Sequence, residues 1–269
     1  MQLKPREFDR FRKLVHRTSG IALGEGKESL VSARIGKRMR TLGLGDFEEY
    51  LGMLDGGGEE MVHMLDAIST NVTSFFREPE HFGFIAGRVS RWRAGGQGRF
   101  RFWSAASSSG EEPYSLAMTL ADCGLGPGTD TRILATDLST RILAAARAGV
   151  YPRTRLGGLP AGLADRWFED APAAAAPSLA VRAPLRSMIS FQRLNLATPP
   201  FPMRGPFDII LVRNVMIYFD TSTREALLRE CHRLLRPGGY LLVGHAESLN
   251  GLETGFVCES PSVYAKRGA

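Results

Sequence analysis

The 269-residue chain is 43% hydrophobic and 23% charged, an ordinary globular composition that excludes full-length disorder. Its 30 glycines follow no three-residue period, which excludes a collagen-like chain. No apolar run reaches the roughly 18 residues of a membrane helix, and the basic start MQLKPREFDRFRK lacks the apolar stretch of a secretory signal. The net charge of +6 is local: residues 1–44 carry eleven Lys/Arg against four Asp/Glu. An acidic partner is expected there, whether nucleic acid, anionic lipid or protein. Cys123, Cys231 and Cys258 form no C-x-x-C pair and share no ligand-like spacing with the histidines, so no metal is expected and a reducing, cytoplasmic setting fits.

The first seventy residues read as helices. Pro5 opens the first, with Phe8, Phe11, Leu14 and Val15 on one side, and SGIALGEG ends it. Ser29 to Leu42 is amphipathic: Val31, Ile35, Met39 and Leu42 share one face, and Arg34, Lys37 and Arg38, with Arg40 nearby, make a basic stripe. By itself such a stripe reads as a solvated face. Asp46 and Glu49 resemble a capping box, GGG at 56–58 ends that helix, and residues 59–69 form another with Met61, Leu65 and Ile68 inward.

After a connector at 71–95 the pattern changes. RFRFWSAA, TRILATDLS, MISFQRLNL, FDIILVRNVMIYF and YLLVGH read as strands. EEPYSLAMTLADC, STRILAAARAG and TSTREALLRECHRLLRPGG, the last capped by Thr221 or Ser222, read as helices. FVCESPSVYAKR supplies one or two closing strands. Alternating strands and helices predict an α/β domain over 96–269 with a parallel sheet covered on both faces. The Pro- and Ala-rich stretch at about 155–190 reads as an insertion with a short helix near Leu163–Phe168.

In such sheets ligands bind beyond the carboxyl ends of the strands. The turn Ala105–Gly110 after the first strand is neither a P-loop nor G-x-G-x-x-G. It leads into Glu111 and Glu112, which would repel a pyrophosphate and suit a ligand with cationic or hydroxyl groups; equally, both can simply complement the helix dipole. Asp137 closes the second strand, where it serves either to accept two ribose hydroxyls or to cap the next helix. Asn195 follows the third strand as an adenine contact or a turn residue. Arg213, Asn214 and Tyr218 follow the fourth. In N-V-T-S-F-F-R-E (71–78), Arg77 either grips a carboxylate with its planar fork or pairs at the surface with Glu78 or Glu80.

NVTSFFRE, FWSAASSSGEEPYSLAM (102–118), ILATDLS (133–139), NL (195–196), PFDIILVRNVMIYFD (206–220), LLRPGGYLLVGHAES (234–248) and VYAKR (263–267) together closely resemble the CheR family, which methylates glutamates on bacterial chemotaxis receptors using S-adenosylmethionine. The resemblance spans nearly the whole chain. It implies a Rossmann-like methyltransferase sheet behind a small all-α domain, with a small β-subdomain inserted. It implies cofactor contacts from Asn71, Thr73 and Arg77, from Glu111 at the amino acid end, from Asp137 on the ribose, from Asn195 and Leu196 beside the adenine, and from Arg213 and Asn214 at the methionine end. Arg77 and Tyr218 would flank the reacting glutamate, and S-adenosylhomocysteine would be the by-product.

The partner implied is the cytoplasmic helical domain of a chemotaxis receptor, met by Arg34, Lys37, Arg38 and Arg40. Some members use glycine-rich segments of the subdomain to dock a receptor tail. Here APAAAAPSLAVRAPL (171–185) lacks glycine, so recognition through the basic helix alone is expected. No aromatic-basic interleaving points to nucleic acid. No broad apolar stripe is left over, so a monomer is expected. Two rival readings are a methyltransferase on another acceptor and a non-catalytic sensor of the cofactor.

Overall fold

A computed structural model describes residues 3–69, 71–171 and 176–267. Helices α1 (Pro5–Ser19), α2 (Glu28–Leu42), α3 (Phe47–Asp55) and α4 (Glu59–Ile68) form the N-terminal unit. Their inward faces follow the 3.6-residue period: Phe8, Phe11 and Val15 pack with Val31, Ile35, Met39, Leu51, Leu54, Leu65 and Ile68 in one buried cluster. Asp46 occupies the N-cap of α3 but its carboxyl makes no capping bond.

The stretch read as a connector holds a fifteen-residue helix, α5 (Glu80–Ala94). Its Phe82, Ile85 and Val89 recur at helical spacing and join the core of the second domain. The chain continues through β1 (Arg99–Ser104), α6 (Glu111–Asp122), β2 (Asp130–Asp137), α7 (Thr140–Ala148) and β3 (Val150–Pro152). Next come α8 (Leu163–Trp167), β4 (Phe168–Asp170), β5 (Ser178–Val181), α9 (Ala183–Arg186) and β6 (Ile189–Arg193). It closes with β7 (Phe207–Val212), α10 (Thr221–Leu234), β8 (Leu235–Val243), β9 (Phe256–Ser260) and β10 (Val263–Lys266).

The main sheet has the order β6-β2-β1-β7-β8-β10-β9. The first five strands are parallel and β10 and β9 add on antiparallel, so the last segment supplies two closing strands. Both faces are covered, and strand alternation divides the core. Phe100 and Phe102 of β1 and Ile209 and Leu211 of β7 face α5 and α6. Trp103, Ile210 and Val212 face α10 with Leu227, Leu228 and Cys231. The insertion is a three-stranded antiparallel sheet, β3-β5-β4. Part of the alanine run, residues 172–175, lies outside the described residues.

Two caps differ from expectation. Asp220, not Thr221 or Ser222, caps α10 by accepting from the Thr223 amide at 2.8 Å. Ser139 caps α7 by accepting from the Ile142 amide at 3.2 Å, which frees Asp137 from that duty. In both cases the residue immediately before the first helical residue has the extended backbone that an N-cap requires.

Candidate active site

The strand order reverses between β1 and β7, and the chain opens there into a cavity of about 380 Å³. That size suits a small-molecule ligand. Its floor is the turn after β1. The Ala105 amide donates to the Leu211 carbonyl at 2.9 Å and the Ser107 amide to the Thr136 carbonyl at 2.8 Å, knitting the turn to both neighbouring strands. Gly110 has φ +98°, and a Cβ there would stand 2.8 Å from the Tyr151 hydroxyl and 3.1 Å from the Ala146 Cβ. Only glycine fits both demands.

The far wall comes from the N-terminal unit, through the loop after α1. Ile21 bridges to Phe219, and the Ala22 amide donates to the Tyr218 carbonyl at 2.8 Å. His16 Nε2 lies 2.7 Å from Asp220 Oδ2. Gly20, at φ +71°, permits this approach, since a Cβ would meet that of Ala197 at 2.6 Å.

Asn71, Thr73, Arg77, Asp137, Asn195, Leu196, Arg213, Asn214 and Tyr218 all border this cavity, and Arg34 reaches it too. Glu111 does not. It is fully buried, accepts from the Ser109 hydroxyl at 2.6 Å and pairs with Arg155 at 2.8 Å. Its neighbour Glu112 lines the cavity instead, because successive side chains on a helix diverge by about 100°. Asn195 stands in the wall with both polar ends committed: its Nδ2 donates to the Thr18 carbonyl at 2.7 Å and its Oδ1 accepts from the Ala197 amide at 3.1 Å.

Asp137 is held by two amides, Ser108 to Oδ2 at 2.9 Å and Ser139 to Oδ1 at 3.0 Å. These use one lone pair on each oxygen and leave the others for the cavity. Burial pushes its carboxyl up from the usual range, against the pull of those amides. Leu138, Leu194 and Leu196 supply apolar wall beside it.

Arg213 is buried between two acids, 2.7 Å from Glu112 and 3.1 Å from Glu78. Burial raises Glu78, but Arg213 and Asn214 pull it net below the usual carboxylate range. Two carboxylates thus share one guanidinium, and Asp137 adds a third acid. Asp137 and Glu112 offer the cavity two carboxylates, which suit sugar hydroxyls and a cationic centre, while Lys27, Arg34 and Arg77 on its other walls suit an anionic group. Ser108 and Asn214, which line the cavity, take positive φ, as do Phe76 and Glu78 next to Arg77; among the described residues the only other non-glycine to do so is Ser262. Backbone strain of this kind gathers at functional sites.

From the sequence, Glu111 and Glu112 stand as a pair with only Glu111 given a cofactor contact by the resemblance, Glu78 is only a surface partner for Arg77, and Ser108 has no role of its own. The doubled acid of GEE and the acid ending FFRE were the available signals, but only the fold shows which acid meets Arg213. Glu78 also stands near His81 and His245, whose ligand atoms lie within 4.8 Å of one another and of its own. Arg213 already supplies the cation there. Burial, then Arg213, hold the His81 pKa down at about 4.

Of the two alternatives for Arg77, the surface pairing with Glu78 or Glu80 is not made. Glu78 turns to Arg213, and Glu80 lies 2.5 Å from His245. Arg77 donates to the Val72 carbonyl at 3.1 Å and stays partly exposed, lining the cavity as Tyr218 does. The basic stripe also divides. Arg34 turns inward to the carbonyls of Ile68 and Ser69. Arg38 pairs with Glu60 at 2.5 Å, and Glu60 accepts from the Tyr50 hydroxyl at 2.7 Å. Lys37 and Arg40 remain exposed.

Residues 71–265 match the family model described as CheR methyltransferase, SAM binding domain, and residues 6–69 match the one described as CheR methyltransferase, all-alpha domain. The chain belongs to the CheR methyltransferase family. It is 38% identical over 268 residues to the chemotaxis protein methyltransferase of Escherichia coli K12, covering 98% of this chain and 92% of that one. It is 40% identical over 242 residues to chemotaxis protein methyltransferase 2 of Pseudomonas aeruginosa, covering 90% and 86%. Among solved structures, the methyltransferase domain of bacterial CtHen1-C is similar at TM-score 0.36 and 16% identity, covering 61% of this chain and 63% of that one. The CheR protein is thus a methyltransferase whose cofactor is S-adenosylmethionine, with an all-α domain ahead of a Rossmann-like domain.

Proposed function

We propose that this CheR protein transfers the methyl group of S-adenosylmethionine to glutamate side chains of the cytoplasmic helical domain of chemotaxis receptors, giving glutamate methyl esters, and that the cavity beyond β1, β2 and β7 holds the cofactor. The observation that carries this is a cavity at the strand ends that brings the carboxylates of Asp137 and Glu112 together with Arg77, whose guanidinium bonds a backbone carbonyl and no acid among the described residues.

Asp137 takes the ribose hydroxyls through its free lone pairs. Leu138 and Leu196 sandwich the base edge in apolar surface, while Asn195 holds the α1 end against it. Glu112, held by Arg213, offers its carboxylate to the ammonium of the amino acid end. Glu111 supports this wall from behind through Ser109, at the edge of the turn. When bound, the cofactor supplies an electrophilic methyl on a cationic sulfur.

A glutamate is ionised at neutral pH, its free pKa being about 4.3, so the reaction needs no general base. That agrees with a site in which no histidine among the described residues borders the cavity. Arg77 orients the incoming carboxylate by one oxygen and leaves the other free to attack. Tyr218 fixes it with a hydrogen bond. The N-terminal loop, clamped through Ala22 and His16, excludes water behind them.

Lys37 and Arg40, exposed on α2, offer the acidic receptor helices long-range attraction; each exposed pair contributes only about 0.2–1 kcal/mol, so their effect lies in encounter and orientation. Arg34 and Arg38 act here by shaping α2. The large apolar side chains left exposed, Met53, Val72, Val150 and Ile217, sit singly on different elements, which supports a monomer. No described helix is long and apolar enough to cross a membrane.

Steady-state assays on soluble receptor fragments separate these roles. Arg77→Ala should lower kcat about 100-fold or more, as loss of a positioned charge does, with cofactor affinity changed far less. The double reversal Lys37→Glu/Arg40→Glu should raise the receptor KM in a salt-dependent way and leave S-adenosylhomocysteine affinity unchanged. Full turnover by Arg77→Ala at saturating receptor, or unaltered receptor KM in the double variant, would remove the corresponding role.

A further inference from the structure

The segment that launches Arg213, Asn214 and Tyr218 into the cavity is short and irregular: Asn214 has φ +58°, and a single 3-10 turn, Met216–Tyr218, follows. The amides at the start of such a turn have no partner within it. One carboxylate, from a distant part of the chain, meets them. Glu247 lies in the loop after β8 and is 7% exposed. Its Oε2 accepts from the amides of Asn214 and Gly244, both at 2.7 Å. Its Oε1 accepts from Val215 at 2.9 Å, Met216 at 2.7 Å and Ile217 at 3.3 Å.

Among the described residues no Lys, Arg or His side chain pairs with Glu247, so backbone amides alone hold its charge. Burial pushes its carboxyl up, and the amides of Gly244, Asn214, Met216 and Ile217 pull against this. Glu247 does not border the cavity, yet the four consecutive amides of residues 214–217 converge on it. Their convergence requires the left-handed turn at Asn214, and that turn aims the Asn214 side chain at Glu78, 3.3 Å away. Arg213, just before the turn, is thereby set against Glu112 and Glu78. Tyr218, just after it, is set on the wall of the cavity that Arg77 also lines.

We propose that Glu247 is the positioning residue of the catalytic loop: its carboxylate nucleates the 213–218 turn and so sets Arg213, Asn214 and Tyr218, without itself touching cofactor or substrate. The loss of either oxygen's acceptor capacity leaves buried amides unpaired and frees the turn. This rests on the cavity being the cofactor site, and binding of S-adenosylhomocysteine by the wild-type chain tests that separately.

Two variants and two measurements test the proposal: Glu247→Gln and Glu247→Asp, each examined by calorimetry with S-adenosylhomocysteine and by amide hydrogen exchange read on peptides covering 213–219. In Glu247→Gln one oxygen becomes a donor facing donors. Its exchange should accelerate at 213–219 while β1, β2 and β7 keep their protection, and its affinity should fall about tenfold or more, the loss of one to two buried hydrogen bonds. Glu247→Asp keeps the charge on a shorter stem and should lie between Gln and wild type in both readouts. Wild-type affinity and exchange in a folded Glu247→Gln would overturn the proposal. So would a uniform loss of protection across the sheet in both variants, which would make Glu247 a general stability residue rather than a loop positioner.

Discussion

Arg213→Ala should destabilise the CheR protein by about 3–5 kcal/mol, the usual consequence of removing one partner from a buried ionic cluster. Arg213 is 5% exposed, and its removal leaves Glu112 and Glu78 without their shared guanidinium, with no other Lys or Arg among the described residues paired to either. The Arg77 carbonyl, which also accepts from Arg213, loses its donor. Chemical denaturation read by circular dichroism should show the transition midpoint falling with little change in slope. Arg213→Lys should recover only part of the loss, since one ammonium cannot serve both acids and the carbonyl in the fork geometry of a guanidinium. A midpoint for Arg213→Ala within about 0.5 kcal/mol of wild type would show that the cluster is not a coupled unit.

Asp137→Asn should weaken S-adenosylhomocysteine about 100-fold. Each charge-assisted hydrogen bond to a hydroxyl contributes about 1.5–3 kcal/mol. The substitution also acts inside the protein. With Ser108 N–H on one oxygen and Ser139 N–H on the other, an amide NH₂ must face one donor whichever way it turns. The turn Ala105–Gly110 should therefore shift as well. A pH dependence follows from the raised pKa of this carboxyl. Binding uses the ionised form, so affinity should hold at neutral pH and fall as the medium is acidified, beginning at a higher pH than an ordinary aspartate would give. Calorimetry across pH checks both statements. Equal affinity for wild type and Asp137→Asn at pH 7 would mean that Asp137 serves only the turn.

Much of the architecture was legible because burial imposes periods. The alternation in FDIILV, with Ile209 and Leu211 on one face and Ile210 and Val212 on the other, marks a central strand without any contact being known. The triplet Phe82, Ile85 and Val89 carries the same kind of signal for α5 inside the stretch read as a connector. The caps illustrate a narrower limit. Asp220, Thr221 and Ser222 are all good N-caps by type, and only the backbone conformation of each decides which one caps.

The candidate site was legible as a set of strand ends and less so as a set of contacts. Asp137, Arg213, Asn214 and Tyr218 follow their strands directly, so topology alone brings them together. Helical phase, which separates Glu111 from Glu112, depends on where α6 begins, to the residue. Pairings across the chain left no trace in local pattern. Arg38 meets Glu60 from another helix, and His16 meets Asp220 across 204 residues. The basic stripe on α2 looked continuous for that reason, although two of its four cations are turned inward or paired.

The most direct test of receptor glutamate methylation is incubation of the purified protein with methyl-labelled S-adenosylmethionine and soluble receptor helical fragments, followed by mild alkali. The label should enter the receptor fragment, map to glutamate side chains, and be released by base as methanol. Label that resists base, label on a nucleic acid added in competition, or firm cofactor binding with no transfer at all would contradict glutamate ester formation.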